Sequence, residues 1–522
     1  MTNLPPEEER YRDHVGQIAR GAGVSSFGQG IGRVLNFATQ VALARSYGTA
    51  ALGLYVLGLT TIFFANILAQ FGMDSGVVRF VAHHRAQGDA SRVRGTILLA
   101  LWTTFALSMV LAGLVFFGAG LLADRVFDKP PLEAILRTFS VALPLFTLMS
   151  MTVYALTGFQ TVGGAHRYST SVRQVWQPLV NLVFIMVFYL LGAQILGAVT
   201  AYVISMAVGF AIALYYLRRV FPKLLDRTTP ARLEPRALFS VSGPMIVAGF
   251  TSYINPWIAV TVLGVFASTE AVGIYSVAAR TASLSTLVLF AFTGIFSPMI
   301  ANLYSNGLMD HLGRLYKEVS RWTFTGSLAV FLLTALLAKD IMAVFGRDFV
   351  SGWPAMVLIA TAYLFSSSVG HTGRLLSMTG HQKIVMLSTV AATIGGVVIT
   401  FALVPSFGLM GAAVATAAGV ALSNLITLMS VRKIHGFWPY DFAFAKPILA
   451  GAFAAVLIYL AKLAIPLPSG ILSILVLSPL FLAGFAALLF ALGLDPGDRQ
   501  FLAMLWAGLR RRARRNAKAA ST

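Results

Sequence analysis

The chain of 522 residues is 57% hydrophobic and only 11% charged, with a mean hydropathy of +0.79. Soluble domains carry roughly a quarter charged residues, so a water-soluble globular enzyme is excluded. The absence of cysteine excludes a disulfide framework, a thiolate metal site and a cysteine nucleophile, and the net charge of +20 is spread between apolar spans, which argues for membrane topology and against nucleic acid.

The N-terminus, MTNLPPEEERYRDH, is polar with clustered acids. It lacks the basic region, short apolar run and cleavage site of a secretory signal, so the first span is expected to remain in the mature protein. A helix needs about 20 apolar residues to cross the hydrocarbon core, and long runs divide where Gly or Pro interrupts them. The expected spans are 21–45, 51–73, 95–119, 135–157, 171–192, 194–217, 237–264, 271–300, 322–343, 352–378, 384–404, 409–431, 444–465 and 470–493. Two of the breaks, at Leu191-Gly192-Ala193 and Pro405-Ser406-Phe407-Gly408, read as tight helical hairpins. The fold class is therefore an all-α polytopic membrane protein with about fourteen transmembrane helices.

An even span count puts both termini on one side, and the basic residues say which side. With both termini cytoplasmic, 30 Lys/Arg fall inside and 7 outside, as the positive-inside tendency requires. The localisation expected is a multi-pass protein of the inner membrane. The loop after the sixth span carries Arg218, Arg219, Lys223, Arg227, Arg232 and Arg236 and reads as a linker between two halves. Thr49-Ala50-Ala51-Leu52-Gly53-Leu54-Tyr55 parallels Thr269-Glu270-Ala271-Val272-Gly273-Ile274-Tyr275, and Leu121-Leu122-Ala123 parallels Leu336-Leu337-Ala338. Thr157-Gly158 likewise parallels Thr379-Gly380, and small residues recur every fourth position from Gly197 and again from Gly411. Four matches in order, at offsets of 214 to 222, favour duplicated six-helix bundles. The expected organisation is 1–217 as the N-terminal bundle, 218–236 as the linker, 237–431 as the C-terminal bundle, 444–493 as an extra helix pair and 497–522 as a basic amphipathic tail. That tail, with Phe501, Leu505 and Leu509 on one face and Arg510, Arg511 and Arg512 following, should lie on anionic cytoplasmic lipid.

Polar residues inside spans are the candidate site. Span one spaces Ser26, Gln29, Arg33, Asn36 and Gln40 onto one helical face. A mid-span guanidinium costs roughly 2.5–3.5 kcal/mol on insertion scales, so Arg33 should face a hydrated cavity or a partner. Either the face is a cavity wall or it is an interhelical hydrogen-bond stripe with Arg33 on backbone carbonyls. Span eight carries Ser276, Arg280 and Ser283, with snorkelling of Arg280 to the interface as the alternative. Span five offers Gln177 and Asn181 beside Arg173 and Gln174, and span seven offers Asn255 with Pro256, a kink and candidate hinge that ordinary membrane helices also carry. The acids Asp74, Asp124, Asp128, Glu133, Glu270, Asp340 and Asp348 all fall at loops or span ends, so the usual proton or sodium relay is missing. The eight histidines show no ligand spacing, and His371 reads first as a packing or hydrogen-bonding residue, with proton carriage as the alternative. There is no G-x-x-x-x-G-K-[ST] or G-x-S-x-G motif, so neither an ATPase nor a serine hydrolase is indicated, and no metal or other cofactor is expected.

In the motifs ARSYGTAALGLY, QFGMDSGVVRF, SGPMI, EAVGIYSVAAR, SPMIANLY, LLSMTGHQK and VPSFGLMGAAVATA, in this order over about 400 residues, the chain resembles the Wzx-type lipid-linked oligosaccharide flippases. These are the polysaccharide-biosynthesis branch of the multidrug/oligosaccharidyl-lipid/polysaccharide exporter superfamily. The resemblance implies two six-helix bundles facing a central cavity and alternating access. It also implies a polyprenyl-pyrophosphate-linked oligosaccharide as substrate, with the last two spans forming a lipid-tail groove. Arginine stays charged and forms forked bonds to phosphate, which suits Arg33 and Arg280 to a pyrophosphate. The expected function is translocation without covalent chemistry. Its partners would be the lipid-linked oligosaccharide and membrane lipids, with a polysaccharide polymerase or glycosyltransferases as further candidates. The competing readings are a multidrug antiporter of the same superfamily, a lipid II-type flippase and a polysaccharide polymerase or ligase.

Overall fold

The computed structural model describes residues 6–493 apart from 160–164, 225, 227, 465–467 and 469; the side chains of 6–29, 165–166, 244, 246–256 and 294–295 lie outside that description, as does the expected tail 497–522. In chain order the helices are α1 (Pro6–Gln70), α2 (Met73–Ala86), α3 (Ala90–Leu121), α4 (Leu132–Gly158), α5 (Ala165–Ser171), α6 (Gln177–Leu190), α7 (Ile195–Val220), α8 (Pro235–Phe266) and α9 (Thr269–Ala282). They continue as α10 (Leu287–Ser305), α11 (Met309–Leu336), α12 (Ala338–Phe345), α13 (Trp353–Val369), α14 (Thr372–Met378), α15 (Gln382–His435), α16 (Ala445–Ala464) and α17 (Ile471–Ala491). The described residues contain no strand. Among the described residues eleven helical segments are long and apolar enough to cross a membrane, as expected where every backbone polar group must be satisfied within its own segment.

The breaks between spans are glycine positions. Gly48 interrupts α1 at φ 79° and Gly408 interrupts α15 at φ 50°, conformations that a side chain disfavours. Between α6 and α7, Gly192 at φ 77° lets the Ala193 N–H donate to the Phe188 carbonyl at 2.9 Å, closing the helix end. Two spans read as single helices from the sequence are interrupted. A π-turn, Val172–Trp176, joins α5 to α6, and a 3-10 turn, Ser283–Thr286, separates α9 from α10. Such irregularities inside membrane helices concentrate where a helix lines a site or is buried in protein.

The chain forms two compact units. The first comprises Met1–Ala278, Phe345–Ala355 and Thr393–Thr416; the second comprises Ala279–Val344, Met356–Ala392 and Ala417–Thr522. Three stretches that the repeat assigns to the second half, 237–278, 345–355 and 393–416, thus belong to the first contact unit. Within that unit Met73, Val77, Val81, Ile97, Met151, Leu217, Leu224 and Leu238 share one core, drawing α2, α3, α4, α7, the linker and the start of α8 together. The linker is docked on the α2–α3 corner. Arg94 donates from Nε to the Leu224 carbonyl at 3.0 Å and from Nη1 to the Thr229 carbonyl, while Arg92 pairs with Glu234 at 2.9 Å. In the second unit Phe296, Ile300, Leu312, Tyr316, Leu375 and Val431 form the core of α10, α11, α14 and the end of α15. The helix pair α16–α17 packs on α11 through Ala450, Ala454, Ile458, Leu477 and Phe481, and Lys462 on α16 reaches Asp340 at 2.7 Å.

Candidate substrate-binding site

The polar stripe of α1 does not meet one environment. Asn36 is exposed and folds its Nδ2 back onto the Gly32 carbonyl at 2.7 Å. Arg33 is half-buried. Gly32 is buried against Gln174: a Cβ at Gly32 would come within 2.4 Å of the Gln174 Oε1 and 2.8 Å of its carbonyl oxygen. The close approach brings the start of the α1 stripe against the π-turn that carries Arg173 and Gln174. One turn on, the Gln177 amide donates to the Ser205 hydroxyl on α7 at 3.1 Å. Asn181, another turn along α6, is buried, and its Oδ1 has no hydrogen-bond partner among the described residues. The Gly32 contact thus sets the α1 stripe against the π-turn that leads into α6, and Gln177 ties α6 to α7 within the first unit.

Gln40, at the other end of the stripe, has a different surrounding. It is 5% exposed and donates from Nε2 to the Ser276 carbonyl at 3.3 Å. Ser276 is also buried, its hydroxyl donating to the Gly273 carbonyl at 2.8 Å. In this structure Gln40 and Ser276 seal a helix contact within the first unit. Arg280 and Ser283, by contrast, are exposed in the second unit, with Ser283 donating to the Arg280 carbonyl at 2.6 Å. The boundary between the units runs through α9, so the three residues singled out on span eight divide between them. The Gln29 side chain and those of Asn255 and Pro256 lie outside the described residues; α8 itself runs through the latter two.

Two features escaped the sequence reading. Arg321, counted as a loop cation, lies inside α11 and is only 9% exposed. The Thr147 hydroxyl on α4 bonds the Asn66 Oδ1 at 2.9 Å, a buried tie that no single-helix pattern announces. His371 sits at the break between α13 and α14 and donates from Nε2 to the Leu289 carbonyl at 3.0 Å. Among the described residues no cluster of three or more His, Cys, Asp or Glu could hold a metal. The buried acid is Asp340, paired with Lys462.

An all-helical, multi-pass membrane protein is the class that this fold defines. The sequence profile of the polysaccharide biosynthesis protein family matches residues 18–304, and the chain belongs to that family. It is 24% identical over 430 residues to stage V sporulation protein B of Bacillus subtilis (strain 168), covering 77% of this chain and 81% of the relative. It is 23% identical over 421 residues to the probable low-salt glycan biosynthesis flippase Agl15 of Haloferax volcanii, covering 80% and 83%. Among solved structures, the lipid II flippase MurJ in an inward closed conformation superposes with a TM-score of 0.67 at 15% identity, covering 89% of this chain and 97% of that one. An inward-facing multidrug resistance MATE family transporter gives 0.63 at 17% identity, covering 78% and 94%. The chain is thus a multi-pass member of the polysaccharide biosynthesis protein family, similar to proteins named as flippases and transporters.

Proposed function

We propose that the protein moves a polyprenyl-pyrophosphate-linked oligosaccharide from the cytoplasmic to the outer leaflet of the inner membrane by alternating access. The observation that carries this reading is that the α1 stripe holding the permanently charged Arg33 packs at Gly32 against the π-turn of Gln174, which leads into Gln177 and Asn181 of α6. Guanidinium groups suit pyrophosphate oxygens and amides suit sugar hydroxyls. Arg280 is the second anion-binding cation, and the isoprenoid tail stays in the bilayer throughout. Counting α1 and α15 as two spans each and adding α8 gives fourteen spans, and the charge asymmetry of 30 against 7 orients both termini to the cytoplasm. A cation-coupled drug antiporter is the weaker reading, because the buried acid among the described residues is already neutralised by Lys462.

The test is polysaccharide export per unit of membrane-inserted protein in a flippase-null strain. Lysine keeps the charge but loses the fork, and glutamine loses both, so activity should fall in the order Arg, Lys, Gln at positions 33 and 280. A charge-assisted hydrogen bond contributes ~1.5–3 kcal/mol, so each Gln variant should lose about tenfold or more. Unimpaired export by the Arg33→Gln/Arg280→Gln double variant would refute the cationic cavity. Restoration of cell-wall synthesis instead of surface polysaccharide would redirect the substrate to a lipid II-type precursor.

A further inference from the structure

The duplicated sequence motif meets its own copy. Thr49–Tyr55 lies on α1 just past the Gly48 break, and Thr269–Tyr275 opens α9; both belong to the first contact unit. A Cβ added to Gly53 would come within 1.8 Å of the Thr269 carbonyl oxygen and 3.2 Å of the Gly273 nitrogen. One added to Gly273 would come within 2.2 Å of the Thr49 carbonyl oxygen and 3.2 Å of the Gly53 nitrogen. Exchanging each residue for its partner 220 positions away turns the first set of contacts into the second. This is the signature of a pseudo-twofold axis passing between the two glycines.

The motif tyrosines point the other way. Tyr55 is buried edge-on to Phe139 of α4 at 5.3 Å, within the first sequence half. Tyr275 is buried and bonds Thr416 of α15 at 2.7 Å, within the second. Each motif is therefore anchored by its tyrosine to its own half and meets the other half with its glycine. Around this contact the Lys129 ammonium donates to the Gly264 carbonyl at 2.7 Å, Gln40 holds the Ser276 carbonyl, and Phe37 packs edge-on against Phe345 at 5.3 Å. Every second-half residue in this set lies near the end that the charge asymmetry assigns to the outside.

We propose that Gly53 and Gly273 form the clasp of an outer gate, closing because neither bears a Cβ and parting to open the path to the outer leaflet. Lys129 is its latch. A contact of backbone on backbone, held at its edge by Lys129 on the Gly264 carbonyl and in the field of Glu270, can separate and reclose as one surface. The proposal rests on the alternating-access reading above, and its test separates the two.

The chain has no cysteine, so a Ser276→Cys reporter behind the clasp is unique. Intact cells are treated with a membrane-impermeant maleimide. Gly53→Ala and Gly273→Ala should each raise the labelling rate by about tenfold, the shift expected when a closed state loses part of its advantage. The double variant should fall short of the product of the two, because both relieve one shared contact. Gly113→Ala, where a Cβ meets nothing within 4 Å, should label at the background rate. Should either Ala variant lose membrane abundance, Lys129→Gln decides, since it removes the latch without adding bulk and should also raise labelling. Unchanged labelling in well-inserted Gly53→Ala, Gly273→Ala and Lys129→Gln proteins overturns the clasp. Separately, a Phe37→Cys/Phe345→Cys pair is bridged with a short bifunctional maleimide. Export that stops on bridging while the glycine variants label normally leaves alternating access standing without the clasp, and export that continues on bridging overturns both.

Discussion

The first unit holds two places where the sequence halves are joined, and they are built from opposite materials. At the α1–α9 contact, two glycines bring backbone against backbone, surrounded by aromatic rings and a single lysine. At the α2–α3 corner the linker is held by polar contacts: Arg94 on two carbonyls, Arg92 on Glu234 beside the buried His84, and the Arg232 N–H on the Ser91 carbonyl at 3.1 Å. The first junction depends chiefly on shape, with Lys129 on the Gly264 carbonyl and attracted to Glu270 as a charged tie at its edge. Undoing the second would part Glu234 from Arg92 and Arg94 from its two carbonyls, which is unfavourable in proportion to their burial. The difference assigns the moving seam to the glycines and the fixed anchor to the linker.

Substitutions at the anchor test that division, and tryptic cleavage of the linker, at Lys223, Arg232 or Arg236, in inside-out vesicles reads it. Gly95 makes the largest difference, because a Cβ there would come within 1.9 Å of the Arg232 carbonyl oxygen. Overpacking a fitted contact costs typically ~1–3 kcal/mol, so Gly95→Ala should speed cleavage by about tenfold or more, cleavage following the population of the undocked linker. Arg94→Gln comes next. Its two carbonyl bonds are half-solvated, and the loss discounts to about 1 kcal/mol, a severalfold faster cut. Neither variant should change labelling of the Ser276→Cys reporter. If Gly95→Ala opens the outer end as widely as Gly53→Ala does, the two junctions are one mechanical element and the division fails.

Much of this was legible in the amino-acid sequence, and the boundary of legibility has a physical cause. The helices announce themselves through long uncharged runs, and Gly48, Gly192 and Gly408 mark their interruptions because each needs a backbone conformation that a side chain resists. The repeat was visible as matched residues. Its meaning was not, since nothing in one strip of sequence says that Gly53 touches Gly273. Periodicity likewise assigns Arg33, Asn36 and Gln40 to one face of α1 but is blind to what covers each turn of that face. Asn36 is open, whereas Gln40 is sealed by Ser276 from a helix 236 residues away. Arg321 was hidden for the converse reason: hydropathy ends a span at the first charge, although α11 carries that charge inside the fold.

The smallest effect expected at the anchor is also the one most specific to its charge. His84 is buried on α2, with Nε2 3.7 Å from the Glu234 carboxylate and Nδ1 lacking a partner among the described residues. Burial pushes its pKa below the ordinary histidine value; Glu234 raises it in part, and His83 and Arg92 lower it further. A depressed histidine pKa means that the undocked corner binds the proton more tightly than the docked one. The contribution of His84 to docking is therefore undiminished above the ordinary histidine pKa of about 6.5 and declines as the pH falls below it toward the depressed value. Hydrogen exchange of linker amides, corrected for intrinsic rates, should accelerate between pH 7 and 5.5 in the native protein, by less than the Arg94→Gln effect. His84→Asn should flatten that step while leaving the Arg92–Glu234 pair in place. An unchanged acid response in His84→Asn would mean that the linker's pH dependence arises elsewhere and that the buried imidazole only fills space.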